Sequence, residues 1–380
     1  MEEFILNQYD LFLEDFKTIV NIDSSSGYSQ GIEQVARFFE KRFKAMGMKV
    51  TLSFLGEGKV PCLEAVNKPG NTPYDLMFLG HMDTVFPKGE AKKRPFSIQN
   101  DQAFGPGVCD MKGGLLVVLH VLETLHHQGV LNQLSLCVSF NGDEETGSRA
   151  SREWIMSNAN KSQRVFVFEP CRPGYCFVVQ RKGGGWFQVT AKGVSAHAGA
   201  DPEKGINAVV ELAHQTIAIT GLNSLEKGTS AQVTVVKGGD KVNIIPHEAM
   251  ASVDVRIAKK EEKNRVESFF HTLSKTPHLK GAGILVQGSI DRPPMECGPE
   301  AQKLFDLIQS TAVGLGIEAS SISTGGCSDG NFTSACGKPT IDGMGLVGAN
   351  SHREDEYVEL SSINNMVSLV SRVVKSFVST

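Results

Sequence analysis

Short apolar runs alternate with stretches of helical periodicity along most of this chain. DLMFLG (75–80), LSLCVSF (134–140), VFVF (165–168) and KPTIDGMG (338–345) predict strands, because a few consecutive apolar residues bounded by turn formers fit a buried strand. Between the first two, LLVVLHVLETLHHQG (115–129) carries apolar residues at helical spacing and stops at a glycine. Apolar strands separated by helices imply an α/β architecture, a mostly parallel sheet flanked by helices on both faces.

Between residues 182 and 293 the pattern changes. KGGGWFQVTAKG and AQVTVVKGG alternate apolar with polar residues, and ASVDVRI does so less strictly, as strands solvated on one face do. INAVVELAHQTIAI and EEKNRVESFFHTL read as helices between them. The expected organisation is a smaller α+β domain, 182–293, inserted into a larger one made of 1–181 and 294–380. Gly183, Gly184 and Gly185 at one edge and Pro293 and Pro294 at the other suit a hinge.

Composition narrows the partners. The chain has 380 residues, 41% hydrophobic and 21% charged, with a formal net charge of -4. That balance carries no nucleic-acid or membrane footprint, which leaves small molecules or a second copy as partners. MEEFILNQYDLFLEDF is acidic where a signal peptide would be basic, and the eight cysteines form no CxxC pair. A cytoplasmic protein with reduced thiols is the expectation.

The polar residues at the strand ends carry the chemistry. His81 and Asp83 follow the first strand, Glu144 and Glu145 the second, Glu169 the third, and His352 lies on the loop after KPTIDGMG. Asp110 sits in the glycine-rich turn GPGVCDMKGG that leads into the first helix. Open parallel sheets bind ligands at this edge, and imidazoles with carboxylates form a donor set for zinc or a similar divalent ion. If Asp110, Glu145 and Glu169 all bind, their three charges fit two ions better than one, and a single carboxylate such as Asp110 can bridge them. Glu144 and Glu145, being neighbours in a tight loop, should point apart, one toward metal and the other toward proton transfer.

His120, His126, His127, His214, His247, His271 and His278 lack such company and read as structural or solvated. Cys109 and Cys327 have no adjacent base that would mark a nucleophile. The glycine runs lack the spacing of a phosphate loop.

GHMDTV, GPGVCDMKGG, NGDEETGS, VFVFEP, GVSAHAGADPEKGINAV, VNIIP and GGCSDGNFTSACGKPTIDGMG with its later SH occur in order from about residue 76 to 358. Together they resemble the M20 family of co-catalytic zinc peptidases, and are most similar to its glutamate carboxypeptidases. The resemblance implies a catalytic domain holding two zinc ions, with cobalt or manganese as alternatives, and an inserted lid domain through which subunits dimerise. It implies His81 and Glu169 on one zinc, Glu145 and His352 on the other, and Asp110 bridging them. Asp83 would orient the His81 ring and Glu144 would be the general base. The family often has a second Asp where this chain has Met111, and the bond before that position is cis there.

His197 resembles the lid histidine that donates to the oxyanion, reaching across the dimer into the partner's zinc site. Arg292 resembles the arginine that takes a substrate α-carboxylate, with Asn243 as its hydrogen-bonding companion. The implied activity is cleavage of an amide or peptide bond next to a C-terminal, glutamate-like residue in a small peptide or N-acyl amino acid. Within the family, an N-acyl amino acid deacylase or a tripeptidase is the alternative. Outside catalysis, the alternative is a metal-dependent binding protein on the same fold.

Overall fold

Strand Leu76–His81 pairs in parallel with Leu136–Asn141 on one side and Val165–Val167 on the other, in a computed structural model that describes residues 1–379. Thr340–Ile341 adds a further parallel strand beyond Val165–Val167. At the opposite edge Val60–Val66 and Lys49–Leu55 complete six strands in antiparallel fashion. The predicted strand KPTIDGMG is thus realised over only two residues. Its second half turns away, with the Asp342 carboxylate accepting the Gly343 N–H and Gly343 at a φ of 75°.

Alternate residues of the central strand enter different cores. Leu76 and Phe78 pack with Leu115, Leu119 and Leu122 of helix Gly113–His127, whereas Met77 and Leu79 pack with Ile155 and Ala159 of helix Arg152–Asn160. Helices therefore cover both faces, which is why these strands are apolar throughout rather than alternating. Helix Gly113–His127 is itself buried on nearly every side. Its start explains one glycine of MKGG: a Cβ on Gly114 would lie 1.9 Å from the carbonyl oxygen of Phe168. Only a bare Cα lets the helix abut the strand end that carries Glu169.

These elements form one unit, made of Met1–Gln180, Cys297–Ser323 and the chain from Ser328 onward. Arg181–Glu296 together with Thr324–Cys327 form a second unit. Its sheet is antiparallel throughout, in the order Ser230–Gly238, Glu248–Ile257, Gly183–Lys192, Gly283–Arg292. ASVDVRI alternates more strictly than its residue types suggest. Ala249, Ala251, Val253, Val255 and Ile257 are buried while the residues between them are partly exposed. The buried set packs with Leu212 of helix Ala208–Thr220 and with Val266 and Phe270 of helix Glu262–Leu273.

The glycine run expected at a hinge lies inside a strand. Gly183, Gly184 and Gly185 pair with Ile257, Arg256 and Val255, and a Cβ on Gly185 would lie 2.0 Å from the Ser289 carbonyl oxygen. Close backbone approach, not flexibility, accounts for that glycine. Among the described residues no helix is long and apolar enough to cross a membrane, and no two of the eight cysteines are joined by a disulfide.

Candidate metal centre

Three parallel strands deliver their carboxyl ends to one edge of the large sheet, so the residues just past them converge. His81 closes Leu76–His81, Glu144 begins a short turn after Leu136–Asn141, and Glu169 lies two positions beyond Val165–Val167. Asp110 comes from the tight turn Val108–Lys112, where its own φ and ψ (-118°, 98°) leave the helical region. The Asp110–Met111 peptide is cis. His352 projects from a loop with a φ of 68°, a left-handed conformation that side-chain-bearing residues seldom adopt.

Two ligand groups result, and they share one residue. His81, Asp110 and Glu169 place one donor atom each within 4.8 Å of one another, and so do Asp110, Glu145 and His352. Asp110 Oδ1 lies 3.1 Å from His81 Nε2, while its Oδ2 lies 3.3 Å from His352 Nε2. Glu169 Oε1 is 3.7 Å from His81 Nε2, and Glu145 Oε2 is 3.0 Å from His352 Nε2. One carboxylate thus offers an oxygen to each group.

The electrostatics say what such a cluster lacks. Burial raises the Glu169 carboxyl well above its ordinary range, and repulsion from Asp110 adds to it. Burial likewise raises Glu145. Burial opposes charge on His81, yet hydrogen bonds to Asp110 and Asp83 hold its imidazole well above the usual value. Hydrogen bonds to Asp110 and Glu145 lift His352 to about 10. Without a cation, protons must neutralise these carboxylates, a task that divalent ions perform instead. Glu145 Oε1 is buried with no hydrogen-bond partner, an oxygen waiting for a positive group. The residues present fit two divalent cations on donor chemistry and on this orphaned atom.

The remaining ring nitrogen of His81 is also engaged. Nδ1 lies 3.0 Å from the Asp83 carbonyl oxygen and 3.4 Å from its carboxylate Oδ1. Asp83, fully buried, accepts the Glu144 N–H at 3.1 Å, the Glu145 N–H at 3.2 Å and the Ser26 hydroxyl at 2.6 Å. Nothing in the sequence around Ser26 signals this contact, because its partner lies 57 positions away in the chain. The three adjacent carboxylates of NGDEETGS separate into different surroundings. Asp143 is buried and accepts the N–H groups of Ala150 and Ser151 ahead of helix Arg152–Asn160, a structural duty. Glu145 joins a ligand group, and half-buried Glu144 lies close enough to raise the Glu169 carboxyl by its charge.

His197, Asn243 and Arg292 all lie in the second unit. The His197 loop and the Asn243 loop are neighbours there, the Ala198 N–H donating to the Asn243 carbonyl oxygen at 2.9 Å. Exposed His197 accepts the N–H groups of Gly199 and Ala200 at Nδ1, at 3.1 and 3.0 Å, which leaves Nε2 as the ring nitrogen that can donate elsewhere. Arg292 pairs opposite Gly184 and is buried, whereas His197 follows Lys192, the far end of the same strand. The eight steps from Gly184 to Lys192 span roughly 26 Å of extended chain. Arg292 thus sits at the strand end opposite the one from which the chain runs on to His197.

A model of peptidase family M20/M25/M40 matches residues 77–376. The chain is 33% identical over 369 residues to carboxypeptidase G2 of Pseudomonas sp. (strain RS-16), covering 95% of this chain and 88% of that protein. It is 28% identical over 342 residues to succinyl-diaminopimelate desuccinylase of Gluconacetobacter diazotrophicus, covering 84% and 86%. Its fold superposes on aminopeptidase PepT from Bacillus cereus with a TM-score of 0.80 at 21% identity, over 98% of this chain and 99% of the other.

Proposed function

This chain belongs to peptidase family M20/M25/M40, and from that premise we propose that it is a two-zinc hydrolase releasing a C-terminal, glutamate-like residue from a small peptide or N-acyl amino acid. The observation that carries the two-cation part is Asp110, whose two oxygens face His81 and His352 separately. The substrate class rests on the likeness to carboxypeptidase G2.

In this reading His81, Asp110 and Glu169 would hold one cation, and Asp110, Glu145 and His352 the other. When bound, such ions supply Lewis acidity that polarises a carbonyl and lowers the pKa of water. Glu144 takes a proton from the attacking water and hands it to the leaving nitrogen as the C–N bond breaks, so the acid and the amine leave with the proton count balanced. His197 donates its Nε2–H to the developing oxyanion. Arg292 pairs with the α-carboxylate of the substrate, a planar fork matching two oxygens. Arg292 lies opposite Gly184 at one end of the strand Gly183–Lys192 and His197 follows its other end, a separation that supports a homodimer in which each site draws these two residues from different chains. Asn243, beside His197, would then come from the same chain as that histidine.

The likeness to a desuccinylase favours a second reading, hydrolysis of N-acyl groups from amino acids or diamines. A substrate panel of N-acylglutamates, N-succinyl amines and tripeptides, run with and without chelator, separates the two. Preference for N-acylglutamates, lost with chelator and restored by zinc, is the expected result. Preference for N-succinyl amines would move the assignment to the second reading, and hydrolysis of none would sink both.

A further inference from the structure

Glu356 is a fully buried carboxylate that no step above employs. It closes the loop that carries His352. Its Oε1 accepts two successive main-chain N–H groups, those of Gly107 and Val108, the latter at 3.1 Å. Those amides open the turn that presents Asp110, and Gly107 lies 249 positions away in the chain. Oε2 is buried without a hydrogen-bond partner.

The surrounding backbone makes this contact a tie between two ligand-bearing segments. Gln102–Phe104, which leads into the Asp110 turn, pairs antiparallel with Tyr357–Glu359, which leads out of the His352 loop. The strands align the bases of the two segments, and the Glu356 side chain spans the gap above them. Neither segment is held by regular structure at its tip: Asp110 and Met111 have non-helical backbone angles, while Asn350 and His352 have positive φ values of 65° and 68°. Segments in such conformations keep them only when their surroundings impose them. A buried carboxylate is a costly group to place there, because burial and the nearby Asp110 charge both disfavour its ionisation.

We propose that Glu356 is a positioning residue, which by binding the Gly107 and Val108 amides sets the spacing of Asp110 from His352 and so keeps the Asp110–Glu145–His352 group in register for its cation. The proposal rests on the two-cation reading given above.

The test is titration of metal-free protein with Co²⁺, followed by calorimetry and by the cobalt d–d absorption, for the wild type, Glu356→Ala, Glu356→Gln and Glu356→Asp. The wild type should take up two equivalents. Glu356→Ala should bind one equivalent about 10- to 100-fold more weakly, with an altered d–d band, the range seen when outer partners of metal ligands are removed, and the other, which shares Asp110 but keeps His81 and Glu169, by a clearly smaller factor. Glu356→Gln keeps an oxygen for the two amides and should stay within about threefold of the wild type. Glu356→Asp keeps the charge but withdraws the acceptor, so it should resemble Glu356→Ala. Both equivalents unchanged in Glu356→Ala, or both weakened in parallel, would overturn the proposal. Should that variant not fold, Glu356→Asp against Glu356→Gln decides, and Gln binding the weaker equivalent no better than Asp overturns it. A wild-type protein that binds one equivalent would instead sink the two-cation reading, and this proposal with it, before any substitution is compared.

Discussion

The Asp83 carboxylate accepts the main-chain N–H of Glu144 at 3.1 Å with the same oxygen that lies 3.4 Å from His81 Nδ1. One buried side chain therefore orients the His81 imidazole and fixes the turn from which the proposed base projects. Asp83→Ala should lower both cation affinity and kcat, each by about 10- to 100-fold. Equilibrium dialysis and steady-state kinetics on the same preparation check this. A variant that loses turnover at full metal content would restrict Asp83 to the Glu144 turn.

Glu144→Gln should keep both cations and the fold while kcat falls on the order of 100- to 10,000-fold, since a base is removed and no ligand. Metal content by emission spectrometry beside kcat distinguishes this from ligand loss. If Glu144→Gln loses a cation and Glu145→Gln does not, the two glutamates exchange roles.

Cation affinity should rise with pH across the neutral range. In the metal-free protein His352 is raised to about 10 and so holds a proton at pH 7, and, against the effect of burial, hydrogen bonds to Asp110 and Asp83 raise His81 as well. Coordination requires neutral imidazole, hence each bound cation displaces protons and the apparent affinity gains about tenfold per pH unit for each proton released. The gain should flatten as pH passes about 10, where His352 no longer holds a proton. Calorimetric titrations in buffers of different ionisation enthalpy count the protons directly. Binding that releases none below pH 8 would contradict these shifts.

Arg292→Ala should raise KM for substrates with a free α-carboxylate by about 10-fold or more, with little change for the corresponding amides, because a charge-assisted bidentate pair is lost only with the former. Equal changes in both series would remove Arg292 from substrate recognition.

Mixing Glu144→Ala with His197→Ala tests whether a site is shared between chains. Each alone should be nearly inactive. After random exchange half the dimers are mixed and carry one complete site, so about a quarter of sites should recover in a closed two-fold assembly. Confirmed exchange with no recovery would place His197 in its own chain's chemistry.

The sequence by itself determined that Leu76–His81, Leu136–Asn141 and Val165–Val167 are buried on both faces and that Glu248–Ile257 alternates, because apolar runs and alternation report how many sides of a strand meet a core. It also brought His81, Asp110, Glu145, Glu169 and His352 forward as a donor set, since strand ends and a glycine-rich turn are local features. What it could not resolve were relationships between distant segments. That Asp143 supports the start of a helix while Glu145 joins a ligand group depends on where a tight turn aims each side chain, and three adjacent acids look alike in a string. KPTIDGMG was apolar enough to read as one long strand, but the turn at Asp342 and Gly343 ended it after Ile341. KGGGW reads as a hinge, but the neighbouring strand at Ser289 leaves no room for a Cβ at Gly185. Ser26 and Glu356 had no visible role because their partners, Asp83 and Gly107, lie far away in the chain. Hydrogen bonds of that kind are set by how the sheet edge gathers its loops, and periodicity along the chain carries no record of them.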